Sequence, residues 1–87
     1  MFLDTFKERS VWVSGHTGFK GAWLCEWLLL LGARVHGYAL APPTDPALFD
    51  QLGLAERIDR HEIADIRDRE AVAASIASCQ PDYVFHL

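Results

Sequence analysis

Three glycines, Gly15, Gly18 and Gly21, recur at every third position, with His16, Thr17, Phe19 and Lys20 between them. Such a turn does its chemistry through the backbone. Free of side chains, it can curl tightly and approach an anion, and the N–H groups of a following helix then face negative charge. Gly15 permits a tight exit from a preceding strand, Gly18 lets the backbone come close to phosphate, and Gly21 lets helix and strand pack. The ligand implied is a diphosphate-containing nucleotide. His16 and Thr17 offer backbone donors, with the threonine hydroxyl in addition. His16 and Lys20 are each read equally as phosphate contacts or as solvent-exposed positions.

Glycine spacing acquires meaning only from the elements around it. Val11-Trp12-Val13 is short, β-branched and aromatic, and predicts a strand leading into the turn. A helix is expected over Phe19–Leu31, with Leu24, Cys25, Leu28 and Leu29 on the face toward the sheet. Trp23, Trp27 and Leu30 make a second apolar stripe, which implies cover on both sides, from more chain or a partner subunit. Gly32 ends that helix. A second strand is predicted over Val35–Leu40, broken by Pro42-Pro43. Thr44-Asp45-Pro46 then reads as a helix start with proline at an early position, followed by a short helix over Ala47–Leu52 and a further turn up to Arg57. His61–Ala64 is the third strand. Asp68 is placed to cap a helix over Arg69–Ser78, whose Val72, Ile76 and Cys79 share a face. Asp82–Leu87 is the fourth strand.

Alternating strands and helices imply parallel crossovers. Their right-handedness predicts α/β architecture: a Rossmann-like, doubly wound parallel sheet in the order 3-2-1-4. The loop after the first strand then lies at the switch point, where ligands of such sheets bind. Residues 1–87 are expected to be the N-terminal part of a dinucleotide-binding domain, since the sequence stops at Leu87 inside a predicted strand. Met1–Lys7 reads as a lead-in resting Phe2, Leu3 and Phe6 on the body.

Composition narrows the function further. With 51% hydrophobic and 23% charged residues the chain is globular rather than disordered. A net charge of −4 and scattered cations argue against nucleic-acid binding. Charges at Asp4, Lys7, Glu8 and Arg9 argue against a secretory leader, and the apolar run near Leu28–Leu31 is too short for a membrane span. A soluble, cytoplasmic protein is expected. Cys25 and Cys79 belong to no metal-ligand motif and read as free thiols in a reducing compartment.

Beyond the turn, Asp65 closes the third strand and is placed to accept from an adenine amino group, with Ile66 packing the ring. An acid that would grip the adenosine ribose is missing: that place is Ala39 or Leu40, with Asp45 a weak substitute beyond the prolines. No Arg stands there either, which favours NAD over NADP. His36, His61 and His86 are dispersed along the sequence and read as structural.

GHTGFKG, followed by W-L, L-G-A-x-V-x-G-Y-A-L-x-P-P-T, D-I-R-D and P-D-Y-V-F-H-L, resembles the extended short-chain dehydrogenase/reductase family over nearly all 87 residues. Within it, H-T-G-F-K together with G-Y-A-L-x-P-P-T is similar to the dehydratases that act on CDP-glucose. The resemblance implies a lyase that converts CDP-glucose to its 4-keto-6-deoxy form with tightly held NAD, serves surface polysaccharide synthesis and forms a homo-oligomer. It further implies that Gly15, Thr17, Gly18, Phe19, Lys20 and Gly21 line the pyrophosphate, that Asp65 and Ile66 hold adenine, and that Leu87 begins a loop touching the cofactor. The family's catalytic Tyr-x-x-x-Lys pair has no counterpart in these residues, so no catalytic residue is assigned. The alternatives are another nucleotide-sugar dehydratase or epimerase, and a dinucleotide-binding sensor without chemistry.

Overall fold

A computed structural model describes residues 5–43 and 45–87; the expectations for Phe2, Leu3 and Thr44 fall outside them. The elements are β1 (Ser10–Ser14), α1 (Phe19–Leu30), β2 (Arg34–Ala39), α2 (Leu48–Gln51), α3 (Leu54–Arg57), β3 (Arg60–Ile63), α4 (Arg69–Cys79) and β4 (Tyr83–His86). All strands are parallel in the order β3-β2-β1-β4, as the crossover argument requires. Among the described residues, no helix is long and apolar enough to cross a membrane.

Strand alternation divides the sheet into two chemically distinct faces. Val11, Val13 and Val35 point to one side, where they pack with Ala22, Cys25 and Leu28 of α1 and with Phe49, Leu54 and Ile58. Beneath α1 that face is apolar. Trp12, His36 and Tyr38 point to the other side. There Trp12 Nε1–H donates to Ser75 Oγ at 2.9 Å, and the Ser75 hydroxyl donates to Glu62 Oε1 at 2.7 Å. His36 Nε2 lies 2.6 Å from the same carboxylate oxygen. Ser75 is the buried residue of α4, while Val72, Ile76 and Cys79 are only half-buried. The expected apolar seam is thus displaced by one position toward a polar contact.

Local sequence explains most element ends. Asp68 caps α4 by accepting from the Ala71 N–H at 3.1 Å. Gly32, at φ +84°, closes α1: its N–H donates to the Leu29 carbonyl and that of Ala33 to Leu28, both at 3.0 Å. One start was misplaced. Helix α2 begins at Leu48 with Ala47 as cap, so Pro46 lies in the preceding bend rather than in the first turn. The outer stripe of α1 is bare, with Trp23 53%, Trp27 56% and Leu30 76% exposed. Phe6 packs its ring edge on Tyr83 at 5.1 Å, as a lead-in should.

Candidate functional site

Gly15 and Gly21 must be glycine for two different physical reasons. Gly15 has φ +81°, a left-handed conformation that side chains resist, and its N–H donates to the Tyr38 carbonyl at 3.0 Å. A Cβ on Gly21 would lie 2.0 Å from the Gly15 carbonyl oxygen, so only glycine lets α1 press on the turn. Gly18 is unlike both. Its φ is −77°, and a Cβ there would meet only the Gly15 oxygen, at an ordinary 3.6 Å. Nothing within the protein demands glycine at this position; the space beside it is open.

Gly18 is also the N-cap of α1. No side chain caps that terminus and no acid stands in its first turn. The first N–H groups of a helix have no partner within it and carry the positive end of its dipole. An open glycine at the mouth of an uncapped helix therefore suits a phosphate.

A cleft of about 330 Å³ runs beside the turn, and Gly15, Thr17, Gly18, Asp65, Ile66 and Leu87 line it. Six of the ten residues singled out from the sequence thus meet in one place. Gly21 supports the turn from beneath. Phe19 and Lys20 are exposed, and both border the apolar groove along the outside of α1 rather than this cleft. Of the two readings of Lys20, the exposed one describes its position.

His16 departs from both of its readings. Its side chain is fully buried, neither exposed nor turned toward the cleft, so only its backbone faces a ligand. The ring packs edge-on against Phe49, and its Nε2 lies 2.7 Å from His61 Nδ1. Burial, with lesser repulsion from His61 and His36, lowers its pKa to about 4. The histidines are not dispersed in space, since His16 pairs with His61, and His36 joins the Ser75–Glu62 network. Sequence distance hid these contacts because three crossovers bring the strands together.

Thr17 spends its hydroxyl on structure, donating to the Leu40 carbonyl at 2.7 Å. Asp65 is held by Arg67, whose Nη2 donates to Oδ2 at 2.7 Å and whose backbone N–H donates to Oδ1 at 2.8 Å. The Arg67 hydrogen bonds lower the carboxyl pKa to about 2, so it stays an ionised acceptor. The Tyr38 hydroxyl donates to the Asp65 backbone carbonyl at 2.9 Å and fixes that wall. Asp45 is exposed and does not line the cleft; Ala39 and Leu40 do, and neither carries an acid.

Ser14, Tyr38, Pro43 and His86 line the cleft as well and were not singled out. Ser14 Oγ lies 2.6 Å from His86 Nδ1, joining the ends of β1 and β4. Ser14 and His86 close their strands, and the rule that ligands sit at carboxyl ends would have found them if applied to every strand. The cleft combines three chemical features. It has an open backbone cradle for phosphate, apolar walls at Ala39, Leu40 and Ile66 for a base, and one fixed anionic acceptor at Asp65.

Comparison with known proteins agrees with this geometry. Residues 11–87 match the NAD dependent epimerase/dehydratase family. The chain is 51% identical over 82 residues to CDP-glucose 4,6-dehydratase of Salmonella typhimurium strain LT2, covering 94% of this chain and 23% of that protein. The chain therefore spans about a quarter of the length of that relative. The structure of Pen from Bacillus thuringiensis superposes with a TM-score of 0.71 at 27% identity, covering 94% of this chain and 25% of that one. A second structure, from Burkholderia cenocepacia J2315, gives a TM-score of 0.65 at 34% identity over the same shares.

Proposed function

The chain belongs to the NAD dependent epimerase/dehydratase family, and from that premise we propose that it is the cofactor-binding part of a CDP-glucose 4,6-dehydratase. The single observation that carries the dinucleotide reading is Gly18, a glycine that no contact within the protein requires, set at the uncapped start of α1. Backbone N–H groups of the first turn of α1 hold the pyrophosphate, with Gly18 leaving room for it beside Gly15. Asp65 accepts from the adenine amino group while Ile66 and Leu40 bracket the ring. Leu87, whose Cβ lies 3.3 Å from the position of a Gly15 side chain, closes the cleft toward β4. With no acid at Ala39, ribose recognition falls to backbone groups near Leu40. NAD, when bound, supplies a hydride acceptor and donor for the sugar. No proton-moving role is assigned to any of residues 1–87.

The substrate assignment rests on the 51% identity to the Salmonella enzyme. The whole protein incubated with CDP-glucose is expected to form a 4-keto sugar nucleotide, read as absorbance in alkali. Turnover of a different nucleotide sugar, with none of CDP-glucose, overturns the substrate. Binding of NAD with no turnover of any nucleotide sugar favours the sensor reading. For the turn itself, Gly18→Val is expected to weaken NAD binding at least about 100-fold in calorimetry, because the branched side chain fills the phosphate's place. Since a Cβ at Gly18 meets no close protein atom, the variant should keep its fold, and unchanged NAD affinity removes the pyrophosphate role.

A further inference from the structure

The glycine turn carries one large side chain on its inner surface, and the sheet leaves room for it. A Cβ on Gly37 of β2 would lie 2.4 Å from His16 Cδ2 and 2.5 Å from Cγ. The missing side chain at Gly37 is therefore the socket for the His16 ring. Phe49 of α2 closes the socket, with ring centroids 5.2 Å apart and planes at 84°. His61 of β3 supplies the hydrogen bond at 2.7 Å, one ring nitrogen donating and the other accepting. The second nitrogen, Nδ1, is buried without a hydrogen-bond partner. A buried, half-satisfied polar ring is costly to keep unless its placement matters.

We propose that His16 is a positioning residue for the dinucleotide, its ring plugged into the Gly37 socket and tied to His61 so that the Gly15–Gly18 backbone is held in its phosphate-receiving shape. This rests on the dinucleotide reading of the turn. His16 lies between Gly15 and Thr17, so releasing its ring frees the backbone on either side of it. Gly15, with φ +81°, has many other conformations to visit once the plug is lost.

The same contact makes binding sensitive to acid. The titratable and charged groups around the ring are His61 on β3, His36 on β2 and, beyond His61, Asp50 on α2. The two histidines lower the pKa of His16, adding to burial, and the Tyr38 backbone opposes them. Asp50 favours a charge on His61, but burial of that ring outweighs it. Two protonated rings would face each other donor to donor. Seated, His16 titrates at about 4; released into water it returns toward 6.5. A lowered folded-state value means that the seated form is fully favoured above about pH 6.5 and loses that advantage as pH falls toward 4.

The test measures NAD binding by calorimetry in the whole protein, with folding followed by circular dichroism. Wild type is expected to bind NAD at pH 7.5 and to lose affinity progressively below pH 6.5, approaching the roughly tenfold weaker binding of His16→Ala near pH 4.5. His16→Phe keeps the plug without a titrating nitrogen and should show a flat profile over that range. His16→Ala should bind about tenfold more weakly at pH 7.5, and so should Gly37→Ala, which evicts the ring from a distance. In the His16→Ala background, Gly37→Ala should cost nothing further, because its Cβ then meets no ring. Should either alanine variant fail to fold, His61→Ala, on a half-buried strand position, carries the same expectation. Wild-type affinity in folded His16→Ala or His61→Ala overturns the proposal, as does a pH profile shared by wild type and His16→Phe. Failure of wild type to bind NAD at pH 7.5 overturns the dinucleotide reading instead.

Discussion

The two faces of this sheet are held by different physics. Toward α1 the contact is dry: Val11, Val13, Val35, Cys25 and Leu28 are at most 2% exposed and bring no charge with them. The Cys25 thiol shows how dry, since burial pushes its pKa up to about 12. Toward α4 the contact is a chain of hydrogen bonds, Trp12 to Ser75 to Glu62, with His36 on the same carboxylate. Burial raises the pKa of Glu62, but the hydrogen bonds from Ser75 and His36 prevail and it ends below its ordinary value. The dry face derives stability from area and close packing, which tolerate no added atom. The polar face specifies one orientation of α4 and contributes less energy. The glycine turn hangs from the dry face, so its shape is set by packing, while Ser14 and His86 approach it from the polar side.

The largest expected effect probes the tightest point of the dry face. Gly21→Ala places a methyl carbon 2.0 Å from a backbone oxygen that cannot rotate away. Its cost should exceed the ~3 kcal/mol typical of overpacking, and urea denaturation should show a largely unfolded chain. Leu28→Ala comes next, at about 3 kcal/mol, from lost burial and the cavity left behind. Ser75→Ala should cost only about 1–2 kcal/mol, because it strands the Trp12 N–H and removes one donor to Glu62. Equal losses for Leu28→Ala and Ser75→Ala would erase the distinction between the faces. A Ser75→Ala loss that shrinks as pH falls below about 4.5, where Glu62 takes up its proton and no longer needs the donor, would sharpen it.

Much of this architecture was legible in the sequence. The short β-branched and aromatic run VWV, the Asp68 cap and Gly32 each act over a few residues, and each was found where local rules put it. The strand order followed from right-handed crossovers taken with the doubly wound pattern. What escaped were directions. The side chain of His16 leaves the turn after a left-handed glycine, so no helical or strand period states where it points. Its socket at Gly37 and its partner His61 lie on two other strands. Ser75, a small polar residue, gave no sign that it and not Val72 would meet the sheet. Asp65 was legible as a residue at the strand ends, where it lines the cleft, yet the neighbouring Arg67 that keeps it charged was not.

Thr17 donates its hydroxyl to the Leu40 carbonyl at 2.7 Å, and the Gly15 N–H bonds Tyr38 at 3.0 Å. Together they clamp the jaw that carries the glycines to the jaw formed beyond β2. The width of the cleft between them is therefore set by main-chain groups at both rims, so substitutions of the lining side chains should change its chemistry more than its span.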